Sequence, residues 1–410
     1  MQKVEKNSIA LYTPITILLI IIVSLSFLGL GFVMPLRALY GRQVGATSVE
    51  IGAMSFSFLL AGFLATPFIG WLTDRVSYRN ILAVGLLLHM AVVLTYILVE
   101  NPLPLIALRA VEGIAAAAVL PPARALMNST APRTRQGEAL GLISAAQTFG
   151  ILIGPAVGAF LASQTGYAPS FLIAGIPLGI AAGVTFFLLP PVRSQSPEQR
   201  QKQLVELGQE GRREELASLF SRPLTLAYIL QFIFYIANGV AIAIWSLYML
   251  DHGASLPVIG LSYTTFALPI VLIAPFAGRL SDRYGRYWIM LLGLLCGGGA
   301  FCLYSLPLTP LWIVLISILE GSAIALSRSA LDGYVADVMP GDKKGKVQAN
   351  YNAAGTAGSL FGSAAAGILY LHSTGLPFLA EGLLYFATVL VLLLPGLSRM
   401  FVKKTLQIEV

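Results

Sequence analysis

Charged side chains are scarce in this sequence. Only 11% of the 410 residues are Asp, Glu, Lys or Arg, whereas 57% are hydrophobic and the mean hydropathy is +0.80. A soluble protein has about 25% charged residues, and a soluble fold of this length cannot bury so much apolar surface. The composition therefore excludes an ordinary soluble domain and predicts a protein whose solvent is the lipid bilayer.

Cysteine and histidine are also rare, with two and three residues. Cys296 and Cys302 lie in one apolar run, so we do not expect a structural disulfide, and no Cys/His spacing is typical of a metal site. No nucleophile–base set or cofactor motif is present, so we expect neither an enzyme nor a cofactor. The net charge of +7 does not indicate nucleic acid as a partner, because the basic residues lie in short loops between apolar runs.

Long apolar runs make up most of the chain. A helix that spans a bilayer needs about 20 residues, and on that scale about twelve spans are predicted. Asn7–Leu36 carries no charge, which makes this run too long for the core of a signal peptide. The predicted spans lie near 13–38, 49–72, 79–99, 103–127, 138–163 and 168–190, then 223–249, 257–280, 287–305, 309–335, 346–371 and 376–397.

The two halves of the sequence are repeats at an offset of 208 positions. Gly70–Arg75 (GWLTDR) corresponds to Gly278–Arg283 (GRLSDR), and Glu112-Gly113 corresponds to Glu320-Gly321. A constant offset without insertions predicts two copies of one membrane unit. The predicted domains are 1–190 and 223–410, joined by a polar linker at 191–222.

Lys and Arg are concentrated in alternate loops. The linker and the segments 3–6, 75–79, 133–135, 279–286, 343–346 and 399–404 are basic, whereas the opposite loops hold only Arg37 and Arg42. This asymmetry predicts cytoplasmic termini and a cytoplasmic linker in a multi-pass plasma membrane protein, the inner membrane of a bacterium. The apolar residues of the linker predict short amphipathic helices on the membrane surface: Leu204, Leu207, Leu216, Leu219 and Phe220.

The repeated turn is a candidate gating element. Its small and charged residues are Gly70, Asp74, Arg75 and Arg79 in the first copy, and Gly278, Asp282, Arg283 and Arg286 in the second. A carboxylate at a membrane edge can meet the positive N-terminal end of a helix, and such a contact can break when the halves move apart. The alternative is that these charges only fix the topology.

Few acidic residues lie at membrane depth. Arg109 and Glu112 share a helix face, and charges inside a bilayer normally face a cavity or a partner. The pair is either a proton-exchanging carboxylate beside an arginine or a static ion pair. Glu320 has no basic residue within one helical turn, which suits reversible protonation. Asp332 lies four residues after Arg328 and is either a proton site or a salt-bridge partner.

These motifs resemble those of the major facilitator superfamily. The two turns resemble its loop signature, the second more closely because Ser77 and Tyr78 replace a usual glycine and a basic residue in the first. Arg109-x-x-Glu112-Gly113 resembles the signature of the fourth helix, with Glu112 in place of glutamine. The resemblance implies an all-α membrane protein of two pseudo-symmetric six-helix bundles, with a solute site between them and alternating access.

The predicted fifth helix carries a run of small residues and a proline: Gly150, Gly154, Pro155 and Gly158. Such a run predicts close helix packing with a kink. It also resembles the signature that marks antiporters in the superfamily, mostly exporters of drugs and metabolites. The second copy keeps Gly358 and Gly362 but has Ser363 at the proline position.

The predicted first and seventh helices supply the candidate cavity residues, which are mostly aromatic or amide: Phe27, Phe32, Gln231, Tyr235, Asn238 and Trp245. A cavity with few charges favours a lipophilic solute, although the same side chains can face lipid. His89 and Glu381 are interpreted as structural. Many drug exporters that this chain resembles have an acid in the first helix, and this sequence has none.

We therefore expect a monomeric secondary transporter that exports a small lipophilic solute against an inward flow of protons. Its partners would be the solute, protons and the lipid bilayer. Two alternatives stay open: an uptake symporter or uniporter of the same fold, and a membrane receptor that transports nothing.

Overall fold

The computed structural model describes residues 11–193, 219–340 and 344–402. In these ranges eleven helices are long and apolar enough to cross a membrane, and Leu376–Leu392 is a shorter apolar helix. The all-α prediction is confirmed. The linker positions 194–218, with Leu204, Leu207 and Leu216, lie outside the described residues, as do the terminal lysines.

Between residues 11 and 193 the structure contains seven α-helices and two short 3₁₀ turns, Tyr96–Leu98 and Arg133–Arg135. The helices are α1 (Pro14–Gln43), α2 (Ser48–Thr73), α3 (Tyr78–Thr95), α4 (Pro102–Ala117), α5 (Leu120–Thr130), α6 (Gln136–Thr165) and α7 (Tyr167–Leu188). Thr13 caps α1 by accepting a hydrogen bond from the Thr16 amide at 3.2 Å, and Pro14 occupies its first turn.

The second half contains α8 (Arg222–Asp251), α9 (Leu256–Tyr284), α10 (Arg286–Tyr304), α11 (Pro310–Val338), α12 (Lys344–His372), α13 (Leu376–Leu392) and α14 (Pro395–Val402). Helices α8, α9, α11 and α13 all have a proline in the first turn. A missing N–H costs nothing there, because the first four amides of a helix have no intrahelical partner.

The span predicted at 103–127 is present as Pro102–Thr130, with an interruption between α4 and α5, where Pro121 and Pro122 cannot donate the next helical hydrogen bonds. Two predicted helix ends are wrong. The span predicted at 376–397 ends at Leu392, and a separate helix starts at Pro395. The first helix runs on to Gln43, so Arg37 is a helix residue and not a loop residue.

By its internal contacts the chain divides into two compact units, Met1–Ala46 with Ser57–Gln203, and Thr47–Phe56 with Leu204–Val410. Each unit contains the same close helix contact. A Cβ atom on Gly113 would overlap the carbonyl oxygen of Phe58, and a Cβ on Gly321 would overlap that of Phe266. Gly321 and Phe266 lie 208 positions after Gly113 and Phe58, so the repeat in the sequence is also a repeat in helix packing.

The two copies of the charged turn differ in backbone conformation. Gly285 alone joins α9 to α10, with φ at +94°, a region that strongly favours glycine. In the first copy a longer turn separates Thr73 from Tyr78, and Ser77 caps α3 by accepting from the Asn80 amide at 3.4 Å. Ser77 therefore caps a helix at the position where the second copy has Gly285 in a left-handed backbone conformation.

Candidate functional site

A cluster of ionisable side chains is buried in the first unit around Glu112. One carboxylate oxygen, Oε1, accepts from a guanidinium nitrogen of Arg37 and lies 3.1 Å from Nε2 of His89. The other, Oε2, accepts from the Tyr96 hydroxyl at 2.9 Å and from Arg109 at 2.8 Å. Glu112 is completely buried, and its carboxylate forms ion pairs with two arginines.

The elements that meet at this cluster are α1, α3, the 3₁₀ turn after α3, and α4. Arg109 also stacks on Phe58, with its guanidinium carbon 4.2 Å from the ring centroid. Nε of Arg37 is buried and has no hydrogen-bond partner in the described part of the chain. The predicted Arg109–Glu112 pair is present, and Arg37, His89 and Tyr96 complete it.

The equivalent position in the second unit has an acidic residue, Glu320, but no arginine beside it. The Tyr304 hydroxyl donates to Glu320 Oε2 at 2.9 Å, as Tyr96 does to Glu112 208 positions earlier. Trp245 and Ser317 stand where the first unit has Arg37 and Arg109. Within the described ranges no ion pair reaches Glu320, which is 6% exposed.

A cavity of about 280 Å³ opens between α8, α11 and α12 of the second unit. Arg328 donates to the Tyr235 hydroxyl and lies over that ring, with its guanidinium carbon 4.9 Å from the centroid. Asp332 accepts from the Tyr351 hydroxyl at 2.8 Å. Gln231 also lines the cavity, and its buried Oε1 has no partner among the described residues.

The other predicted cavity residues lie elsewhere. Trp245 is buried among aromatic rings and donates to Ser262 Oγ at 2.8 Å. Asn238 donates to Ser359 Oγ at 3.0 Å. Phe27 and Phe32 pack against the glycines of α6. Two charged side chains, Arg328 and Asp332, line this cavity, and the composition of the solute site stays a prediction.

The second charged turn is held together by Arg286. Its guanidinium pairs with Asp282, donates to Ser281 Oγ at 2.7 Å, and donates to Asp337 Oδ2 at 3.2 Å. Arg283 lies over Tyr284, with 5.5 Å between its guanidinium carbon and the ring centroid.

The first charged turn has a different set of contacts. Arg75 lies 3.9 Å above the Trp71 ring and Arg79 lies 5.9 Å from the Phe186 centroid. Across the described ranges Asp74 forms no ion pair. Gly70 and Gly278 have open space where a Cβ would lie, so a close contact does not explain either glycine.

The glycines of α6 bring it against α1. A Cβ on Gly154 would lie 2.7 Å from the Cα of Gly31, and one on Gly158 would overlap the Phe32 carbonyl. Gly150 faces Phe27 and Leu28 in the same way, and Pro155 lies inside the helix. In the second unit Gly358 and Gly362 meet Phe232 and Ile236 of α8, so the predicted close packing is present in both copies.

The sequence model of one protein family, the Major Facilitator Superfamily, matches residues 19–235 and 227–399. The chain therefore belongs to the Major Facilitator Superfamily and is a membrane transporter, as the motifs predict. This family and the helices together confirm the predicted fold.

Two relatives cover most of the chain. The multidrug resistance protein MdtG of Salmonella arizonae is 30% identical over 305 residues, which are 72% of this chain and 73% of that protein. An uncharacterized MFS-type transporter of Methanocaldococcus jannaschii is 25% identical over 378 residues, 90% of this chain and 92% of the relative.

Solved transporters share the fold at low sequence identity. The nucleoside transporter NupG has a TM-score of 0.72 at 16% identity, with 95% of this chain and 99% of NupG covered. A POT family transporter in complex with a thioalcohol-conjugated peptide has a TM-score of 0.74 at 12% identity, with 94% and 96% covered. At these identities the likeness concerns the fold alone.

Proposed function

We propose that this transporter exports a small lipophilic solute with a polar head group in exchange for protons. The observation that carries the proposal is the buried carboxyl of Glu320, which has a hydroxyl partner but no cation in the described ranges. A charge in the membrane interior is costly, so gain or loss of a proton there changes the relative stability of conformations.

Export and antiport are supported by two further observations. The glycines and Pro155 of α6 resemble the antiporter signature, and they form the close contact with α1 that such a motif implies. The Salmonella relative at 30% identity is named a multidrug resistance protein. We expect the chain to work as a monomer in the plasma membrane of a bacterium, with both termini in the cytoplasm.

The cavity beside α8 is the proposed site for the polar head group. Arg328 and Asp332 offer a donor and an acceptor of opposite charge, and Oε1 of Gln231 is a buried acceptor without a partner among the described residues. An unpaired buried acceptor favours a ligand that donates a hydrogen bond. The apolar part of the solute would contact the aliphatic and aromatic residues nearby.

Arg286 and its carboxylate partners are proposed to take part in gating. The guanidinium joins the end of α9 to the end of α11, where Asp337 lies. Release of that ion pair would free the two helix ends to move separately. The first turn lacks an ion pair at Asp74 in the described ranges, so we assign the stronger contact to the second copy.

Proteoliposomes with an acidic lumen test the proposal. In an antiporter, outward flow of protons drives solute inward whichever way the protein is inserted. We expect a panel of lipophilic dyes, beginning with ethidium, to accumulate in the lumen. Accumulation only with an alkaline lumen would indicate a symporter, and equilibration without accumulation would indicate a uniporter.

The variant Glu320→Gln tests whether Glu320 couples proton flow to dye transport. The amide keeps the size of the side chain but cannot release a proton, so gradient-driven accumulation should be lost while dye binding and exchange persist. Glu138→Gln is the matched control, because Glu138 forms an exposed pair with Arg135 at 2.8 Å. Wild-type accumulation in Glu320→Gln would remove this residue from the coupling mechanism.

A further inference from the structure

The cavity between α8, α11 and α12 contains two opposite charges that do not pair with each other. Arg328 and Asp332 lie four positions apart on α11, and both are exposed side chains that line the cavity. A basic and an acidic residue at this spacing share a helix face and can form an ion pair. Within the described ranges no ion pair joins them, so each is held in place by another partner.

Two tyrosines from the facing helices hold the charges apart. The hydroxyl of Tyr235 on α8 accepts from Arg328, whose guanidinium carbon lies 4.9 Å from the centroid of that ring. The hydroxyl of Tyr351 on α12 donates to Oδ1 of Asp332 at 2.8 Å. Each tyrosine uses only part of its partner, so the other N–H groups of Arg328 and Oδ2 of Asp332 have no partner among the described residues and can bind a ligand.

Gln231 adds a third polar group, one helical turn before Tyr235 on α8. It is 3% exposed and lines the cavity, and its buried Oε1 has no hydrogen-bond partner in the part of the chain that the structure describes. The amide is packed against α12, because a Cβ on Gly355 would lie 3.2 Å from its Nε2. Buried acceptors are normally hydrogen-bonded, so Oε1 favours a ligand that brings a donor.

The first repeat shows that helix packing does not require these polar groups. At the positions equivalent to Gln231, Tyr235, Arg328 and Tyr351 it has Val23, Phe27, Leu120 and Ile143. The position of Asp332 is occupied by Arg124. Only the second copy therefore combines a guanidinium, a carboxylate and an amide acceptor at this place, which indicates a function of its own.

We propose that this cavity binds a zwitterionic head group, with an ammonium and a carboxylate close together as in an α-amino acid. The carboxylate pairs with Arg328, and the ammonium, which has three N–H donors, binds Asp332 and Oε1 of Gln231. A solute with only one charge is attracted by one of the two charged side chains and repelled by the other, whereas a zwitterion satisfies both. A volume of about 280 Å³ suits such a head group with a short apolar part. That this molecule is the exported solute rests on the proposed function, but its binding does not.

Three probes with the same apolar part separate the two charges. L-phenylalanine carries both, phenethylamine carries only the ammonium, and 3-phenylpropionate carries only the carboxylate. The measurement is displacement of tritiated L-phenylalanine from the full-length protein in nanodiscs. Each singly charged probe should compete about tenfold more weakly than unlabelled L-phenylalanine, because it loses one charge contact and keeps one repulsion. L-2-aminooctanoic acid, which has a different apolar part, should also displace the label.

Two variants should reverse the preference. Asp332→Asn removes the repulsion that a carboxylate meets, so tritiated 3-phenylpropionate should bind more tightly than to the unchanged protein. Arg328→Gln should do the same for tritiated phenethylamine, and both variants should bind L-phenylalanine more weakly. A gain of binding cannot come from poor folding. Arg135→Gln and Glu138→Gln are the matched controls, because they remove an exposed pair of the same charges outside the cavity and should leave every affinity unchanged.

Each result decides the proposal. Equal competition by the three probes, no binding of either amino acid at millimolar concentration, or variants whose preference does not change would overturn the zwitterion site. If the amino acids bind selectively but neither they nor the dyes accumulate in acid-loaded proteoliposomes, the site stands and the proposed exchange fails. If dyes accumulate and L-phenylalanine neither binds nor competes with them, the exchange stands and the zwitterion site is overturned.

Discussion

Glu112 is bound by two arginines, a histidine and a tyrosine, so we expect its charge to stabilise the fold. Glu112→Gln should leave Arg37 and Arg109 buried without a counter-charge. Breaking a buried ion pair by removing one partner typically costs about 3–5 kcal/mol. We therefore expect a clear fall in the melting temperature of the purified protein, measured as the monodisperse fraction left after heating in detergent.

Glu320→Gln is the matched comparison, at the same position in the second repeat. It replaces a carboxyl that has no cation within the described ranges, so the melting temperature should change little. Equal melting temperatures for the two variants would show that the arginines around Glu112 do not depend on its charge.

At the level of single residues, the sequence reveals only the local part of this cluster. Arg109 and Glu112 are three positions apart, and helical geometry alone predicts their contact. Arg37, His89 and Tyr96 are 75, 23 and 16 positions from Glu112, and only tertiary packing brings them to it. A usable signal was present, because Arg37 lies inside an apolar stretch and Tyr96 recurs at the repeat offset as Tyr304.

At the level of helices, hydropathy predicts the spans but not the prolines that interrupt or end a helix. It gives Pro102–Thr130 as one span without the break between α4 and α5, and it extends α13 past Leu392, because the apolar character continues through Pro121, Pro122 and Pro395. The glycines are more informative. Their close spacing predicts helix contacts correctly in both units, since a missing side chain is what lets two backbones approach.

Gly158→Ala tests that contact. The new Cβ would overlap the Phe32 carbonyl of α1, and overpacking of this kind typically costs about 1–3 kcal/mol. We expect a lower melting temperature and a lower yield of monodisperse protein. Gly141→Ala is the control on the same helix, because no atom lies within 4 Å of its added Cβ. A similar loss in both variants would indicate a general effect of alanine in α6.

At the level of the whole molecule, the constant offset of 208 positions correctly predicts a repeated architecture. What it does not predict is how differently the two copies are charged. Trp245 and Ser317 stand at the positions of Arg37 and Arg109, and helical spacing predicts only the local part of this loss, the missing basic residue beside Glu320. Repeats that agree in backbone packing can therefore differ in electrostatics, and the tertiary contacts show how far the difference extends.

Orientation in the membrane is predicted from the distribution of Lys and Arg. In a background with Cys296→Ala and Cys302→Ala, single cysteines at Gln43 and at Arg200 should react with an impermeant maleimide from opposite sides. Gln43 should label in intact cells and Arg200 only after the cells are opened. Labelling of both positions from outside would contradict the proposed topology.

The break between α4 and α5 makes the two repeats differ in bending stiffness. Pro121 and Pro122 have no N–H to offer the carbonyls of Ala117 and Ala118, whereas α11, the corresponding helix, continues unbroken from Pro310 to Val338. Two missing backbone hydrogen bonds create a joint just beyond the turn that carries Glu112. We therefore expect the first repeat to bend at that joint more readily than α11 bends at the corresponding place.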